Sequence, residues 1–243
     1  MEPLKITFRI GGGLAVPPYP IHLDALLAYG VTRVGMDPGD PDAPNDICTL
    51  RELALDLPLA RYEHSDGEWV WKASALVSAG IGTHSTRFYT QRLNKKAFAT
   101  HVGDGSVQFG RYRPDPSVRP GDDMQPYQYK IDTARGAQRN LCATYPLMEV
   151  AEMSAWCVGD PEQLEDMLVH RGIITHVGAR RRAGHGRLVS VMIEPCPDAA
   201  ELWKLRVRPW KMLDDDAPIQ AAWRAPYWAA ENRGQAFCPT RLI

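Results

Sequence analysis

The segment LKITFRI alternates without a fault: Leu4, Ile6, Phe8 and Ile10 fall on one side, Lys5, Thr7 and Arg9 on the other. A period of two predicts a strand with one buried and one solvated face. Gly11, Gly12 and Gly13 follow, then a proline-rich turn at Pro17, Pro18 and Pro20. In IHLDALLAYGV the period changes, and Leu23, Leu26 and Leu27 share a face at helical spacing. Residues Met36 to Asn45 are rich in Pro, Asp and Gly and predict a surface loop, after which GEWVWKASALV predicts a second strand.

From Ser78 to Pro126 neither period holds. Basic and aromatic residues give way to RYRPDPSVRPGDD, the composition of an exposed insertion. PLMEVAEMSAWCV predicts a third strand, and GDPEQLEDMLVHRG carries the strongest helix signal in the chain. Asp160 suits the cap, Pro161 the first helical position, Leu164, Met167 and Leu168 the apolar stripe, and Gly172 the end. RLVSVMIE then alternates again, with Val189, Val191 and Ile193 on one face. Strand, helix, strand, strand, helix, strand is the ferredoxin-like βαββαβ order, an α+β fold. It predicts one domain over residues 1–208 with 78–126 inserted, and a tail over 209–243. The tail region, RVRPWKMLDDDAPIQAAWRAPYW, has no clear period. An extended segment packed on the domain is expected, with Trp203, Trp210, Trp223 and Trp228 as anchors.

Composition narrows the class. The chain has 243 residues, 44% of them hydrophobic, enough for a sizeable core. Its apolar runs stop far short of the roughly 18 residues of a membrane span, and no signal peptide opens it, so a cytoplasmic protein is expected. The five cysteines stand singly, with no CxxC pair for zinc or redox work, and are expected to be reduced and mostly buried. A net charge of −1 excludes a uniformly basic nucleic-acid binder, but the charges are segregated. Leu168 to Ile193 contains no Asp or Glu and five arginines, Arg171, Arg180, Arg181, Arg182 and Arg187. Arg87, Arg92, Lys95 and Lys96 form a second basic stretch interleaved with Phe88, Tyr89 and Phe98, while acid gathers at Asp37 to Asp46 and Asp214 to Asp216. An anionic partner on one face fits this distribution.

The sharpest motif is VGARRRAGHGRLV. It is not a Walker A loop, since Gly178 and Gly184 have five residues between them and His185 stands where lysine is needed. It is not a dinucleotide fingerprint either, because Gly184 and Gly186 lead into a strand and not a helix. Glycines let backbone approach a ligand closely, and Gly184 is expected to serve that end. Arg180, Arg181 and Arg182 supply forks that match phosphates bidentately. A sugar-phosphate chain is the expected guest.

A glycine-rich GxxxxxGxG loop at this place in a ferredoxin-like order resembles the RAMP superfamily of CRISPR RNA-binding proteins. With PIHLDALLAY, VGDPEQLEDML and RPW in the same order, the chain is most similar to the Cas-five-like subunit of type IV CRISPR complexes, the third protein of the Csf set. The resemblance implies a non-catalytic, cofactor-free RNA-binding subunit of an antiviral ribonucleoprotein that caps the five-prime handle of the guide RNA (crRNA). It also implies the Cas-seven-like backbone subunit and the large subunit as neighbours, and target DNA as a further candidate partner. By position, Gly178, Arg180, Arg181, Arg182, Gly184, His185 and Gly186 correspond to the family's RNA-contacting loop, and Arg87, Arg92, Lys95 and Lys96 to its projecting thumb.

The alternative within the superfamily is a metal-independent endoribonuclease that processes guide RNA, for which His22 and His185 are the candidate proton carriers. A metal enzyme would have to draw on His22 and Asp24 or on His170 and His176, which lack HxxxH or HExxH spacing, so no metal is expected.

Overall fold

The structure, a computed structural model, describes residues 1–35, 47–80, 82–92, 113–114, 129–130, 134, 139–227 and 229–242. The protein is α+β, with mostly antiparallel sheets and few helices. It divides into two units, residues 1–85 with 147–243, and residues 86–146.

In the first unit, β1 (Glu2–Gly11) buries Leu4, Ile6, Phe8 and Ile10 as the alternation predicts. The chain bends at Gly12 into the short β2 (Gly13–Ala15) and then enters α1 (Leu23–Gly35), where Leu23 and Leu27 are fully buried. α2 (Ile47–Leu55) packs near α1. The stretch expected to give the second strand does something else: β3 (Arg61–Glu63) and β4 (Trp69–Trp71) form a hairpin. Only β5 (Val77–Ser78) joins the main sheet. The reason lies in the tryptophans, since Trp71 is buried in the core while Arg61 stacks over both Trp69 and Trp71, 4.4 and 4.8 Å from the ring centroids.

The second unit holds most of β6 (Thr83–Gln91), the pair β7 (Arg113–Pro114) and β8 (Tyr129–Lys130), and the start of β9 (Leu141–Glu149). Most of the expected insertion lies outside the described residues.

PLMEVAEMSAWCV is two strands, not one. A turn at Val150 and Ala151 separates β9 from β10 (Glu152–Gly159), so β9 ends against β2 while β10 enters the main sheet beside β1. The next helix forms as expected: Asp160 Oδ1 accepts from Gln163 N at 3.1 Å, Pro161 begins α3 (Pro161–Glu165), and a π turn carries it to His170. β11 (Arg187–Pro195) lines the other side of β1. Val189 does not share the face of Val191 and Ile193, because a bulge sits where Arg9 pairs with Ser190 and Ile10 with Leu188. Val189 is the extra residue and is 65% exposed. The main sheet thus runs β11-β1-β10-β5, every neighbour antiparallel, with α1 leading from the first strand toward the second in sequence and α3 linking the third to the fourth.

The tail after β11 is more ordered than an extended segment. A single turn of helix, α4 (Ala199–Leu202), is followed by β12 (Asp216–Ala222) and β13 (Arg233–Pro239), an antiparallel hairpin. Trp203, Trp210 and Trp223 are buried with Val70, Val207, Ala236 and Cys238 in a second apolar cluster. They are the packing anchors expected of them, and Trp228 lies outside the described residues. Two arginines go in with them. Arg208 pairs with Asp216 at 2.5 Å, and both side chains are fully buried.

Among the described cysteines none is paired. Cys157 and Cys238 are buried, Cys142 is exposed and Cys196 half-buried, fewer buried thiols than composition led one to expect. Burial pushes the Cys157 thiol up to about 12. Among the described residues no helix is long and apolar enough to cross a membrane.

Candidate nucleic-acid interface

The arginine loop joins the π turn to β11 and is fastened at its neck by backbone hydrogen bonds. Leu188 N donates to Thr175 O at 3.0 Å, and Val177 N donates to Gly186 O at 2.8 Å. A second set ties it to β2: Gly186 N donates to Gly13 O and Ala179 N to Ala15 O, both at 3.0 Å. Gly13, which opens β2, thus holds the loop through its carbonyl; the glycine run leads into a strand and not into a helix, so it makes no helix-opening turn.

Inside this frame the chain makes one 3-10 turn, Arg181–Ala183, with a left-handed residue on each side. Gly184 has φ +84° and Gly186 φ +69°. A Cβ on Gly184 would meet nothing within 4 Å, whereas one on Gly186 would stand 1.8 Å from Val177 O. Open space above Gly184 suits ligand approach. Its backbone angle favours glycine whether or not a ligand is present, so the close-approach argument is not needed to explain it. Gly178 is left-handed too, at φ +80°, and so is Arg180, at φ 59° and ψ 33°, the only such residue that is not glycine among the described residues. Such a conformation costs a side-chain-bearing residue about 1–2 kcal/mol and is sustained here by the fastened neck.

Arg180, Arg181 and Arg182 are all exposed, as is Arg187 at the neck, while His185 is half-buried and Gly186 buried. Arg181 donates through Nη1 to the Tyr29 hydroxyl and sits 5.6 Å from the centroid of that ring. Tyr29, on α1 and 45% exposed, is a contact of the loop that sequence reading missed. Its only signal was an aromatic off the apolar stripe of α1. Arg171 leaves the group, since Asp166, just outside the carboxylate-free stretch, takes it at 2.7 Å.

The other candidates divide sharply. Arg87 in β6 and Arg92 just beyond it are exposed, and Lys95 and Lys96 lie outside the described residues. His22 is 3% exposed, and its Nε2 accepts from Val207 N at 3.0 Å, with the ring stacked on Tyr227 at 5.3 Å. Burial, with Arg206 nearby, lowers its pKa well below that of free histidine. His22 is thus placed as a neutral acceptor that receives the tail, not as a cap for α1. Asp24 is fully buried, receiving Arg206 Nη2 at 3.2 Å and the Tyr227 hydroxyl at 3.1 Å. Burial raises its pKa against the pull of Arg206. Arg206 also donates Nη1 to the carbonyls of Trp71 and Ala73 at 2.6 and 2.8 Å, and Nη2 to that of Trp223 at 2.5 Å. Among the described residues no three His, Cys, Asp or Glu side chains gather as metal ligands.

What fold and loop define is an α+β protein that presents an exposed, carboxylate-free arginine turn on a backbone-fastened loop beside an edge strand. The model of the family CRISPR type IV associated protein Csf3 matches residues 2–239, so the chain belongs to that family and is a type IV CRISPR-associated protein. No curated protein matches the sequence.

Proposed function

We propose that the protein is a non-catalytic RNA-binding subunit of the type IV effector ribonucleoprotein, holding the five-prime handle of the guide RNA on the loop Gly178 to Gly186. The observation that carries this reading is Arg180–Arg182: three exposed guanidinium groups on a fastened turn, in a stretch with no carboxylate from Leu168 to Ile193. Exposed arginines on a turn whose own sequence holds no carboxylate match a phosphate backbone, and fixed geometry lowers the entropy lost on binding. The strained Arg180 backbone fits a binding role, since strain of this kind concentrates at functional sites.

The fold is read as ferredoxin-like, of the RAMP type. Its support is the strand order β11-β1-β10-β5, which in chain order is fourth, first, third, second, all antiparallel. The domain would then comprise residues 1–208 with the thumb-like insertion 78–126, and the tail 209–243 would complete it. Arg87, Arg92, Lys95 and Lys96 are assigned to the same RNA, and the backbone and large subunits of the complex are the protein partners. The nuclease alternative loses most of its ground at His22, whose Nε2 is committed to Val207 N.

The test incubates the full chain with end-labelled repeat RNA in EDTA and runs native and denaturing gels side by side. The expected result is a shifted, intact RNA. A discrete cleavage product lost in His185→Ala would overturn the non-catalytic reading, and no shift at all would overturn RNA binding.

A further inference from the structure

A recess of about 400 Å³ opens beside the arginine loop. Gly178 and Ala179 form one wall, the segment from Pro17 to Leu26 a second, and Gln220 to Ala222 with Arg233 of the tail hairpin a third. The volume lies in the range of small-molecule sites. Much of the lining is apolar, with Ile21, Leu26 and Val207 among it, and His22 and Tyr227 bring their stacked rings to it.

Three side chains at this recess are exposed: Tyr19 at 66%, Gln220 and Arg233. None of them has a side-chain hydrogen bond or ion pair among the described residues. A free phenol ring, a free amide and a free guanidinium around an apolar hollow are the parts that recognise a nucleobase. The ring offers a stacking face, the amide pairs a donor with an acceptor for a base edge, and the guanidinium stacks or takes a phosphate.

Position favours the same ligand. Ala179, in the wall of the recess, is bonded to Arg180, and its N–H is held by Ala15. A strand whose phosphates lie on Arg180–Arg182 therefore passes the mouth of the recess within one residue. We infer that the recess takes one unstacked base of that strand, so that the loop holds the backbone and the recess holds a base. The inference rests on the RNA-holding reading of the loop.

The experiment uses the full chain, wild type and with Tyr19→Ala, Gln220→Ala or Arg233→Ala, all exposed positions whose truncation leaves the core untouched. Affinity is measured for repeat RNA and for a series of the same RNA, each with one abasic position. A stacked base carries enough affinity that its removal costs about 5- to 150-fold. One abasic position is expected to weaken wild-type binding in that range, and to cost Tyr19→Ala little further. If no abasic position costs the wild type more than about twofold while binding still depends on Arg180–Arg182, the recess is not a base site and the loop reading survives. If the wild type binds no RNA, both fall. The abasic series shows whether a base is held and the variants show where: an abasic penalty undiminished in Tyr19→Ala, Gln220→Ala and Arg233→Ala alike places the base outside the recess and overturns the inference.

Discussion

Gly184 and Gly186 stand two residues apart, both left-handed, and the structure gives them opposite tolerances. Alanine at Gly184 has open space, so its cost is the left-handed strain of about 1–2 kcal/mol, partly offset by a stiffer unfolded chain worth about 0.4–1 kcal/mol. Alanine at Gly186 bears the same strain and also drives Cβ to 1.8 Å from Val177 O, a backbone atom that cannot swing aside. Relief requires the neck to open, and the neck hydrogen bonds of Gly186 to Val177 and Gly13, at 2.8 and 3.0 Å, are lost with it. The same net strain of about 0–1.6 kcal/mol, overpacking of about 1–3 kcal/mol and about 1 kcal/mol for each of the two lost bonds put Gly186→Ala near 3–7 kcal/mol. For a chain of this size 1 kcal/mol moves Tm by about 2–4 °C. Thermal unfolding followed by circular dichroism should therefore show a fall of less than about 7 °C for Gly184→Ala and a larger one, of about 6–28 °C, for Gly186→Ala. Equal falls for the two variants would refute the fastened neck.

Two other expectations follow from the buried polar cluster. Arg206→Met leaves the buried Asp24 carboxylate without its counter-charge and takes a donor from the carbonyls of Trp71, Ala73, Trp223 and Val207, which should destabilise by about 3–5 kcal/mol in thermal or urea unfolding. Adding Asp24→Leu should recover part of that loss, and a neutral Arg206→Met would contradict the arrangement. His22 is held neutral, its folded pKa lying well below that of the unfolded chain, so the unfolded state binds the extra proton as pH falls below about 6.5. Its share of stability is present above that pH and lost below it, by up to about 1.4 kcal/mol per pH unit. His22→Gln, which keeps an acceptor, should flatten the dependence of urea midpoint on pH between 6.5 and 5; an unchanged dependence would count against a buried neutral ring.

Where a single local rule governed, the sequence was readable. β1 followed from its alternation and α3 from the Asp160 cap and Pro161, because neighbours in sequence decide both. The loop was readable for the same reason: arginines between glycines report exposure and turn chemistry directly. Failures came where distant residues decide. GEWVWKASALV has strand-like composition, yet Trp69–Trp71 pairs with Arg61–Glu63 and leaves two residues for the main sheet. The Val150–Ala151 turn inside PLMEVAEMSAWCV carries no glycine or proline to announce it. Nothing local marks Arg206 and Arg208 for burial; Asp24 and Asp216 pair with them inside, and Asp24 lies 182 residues from Arg206 in sequence. Tyr29, Tyr19 and Arg233 were invisible for that reason too, since only the closed fold brings them to the loop and its recess.

The most direct test of the account is the salt dependence of RNA binding. The affinity of the full chain for repeat RNA is measured from 50 to 200 mM salt, for the wild type and for the triple variant Arg180→Ala, Arg181→Ala, Arg182→Ala. Each phosphate neutralised on a single strand contributes about 0.7 to the slope of log affinity against log salt, so the variant should bind more weakly with a slope shallower by about 2. An unchanged affinity and slope would contradict the claim that this loop holds the guide.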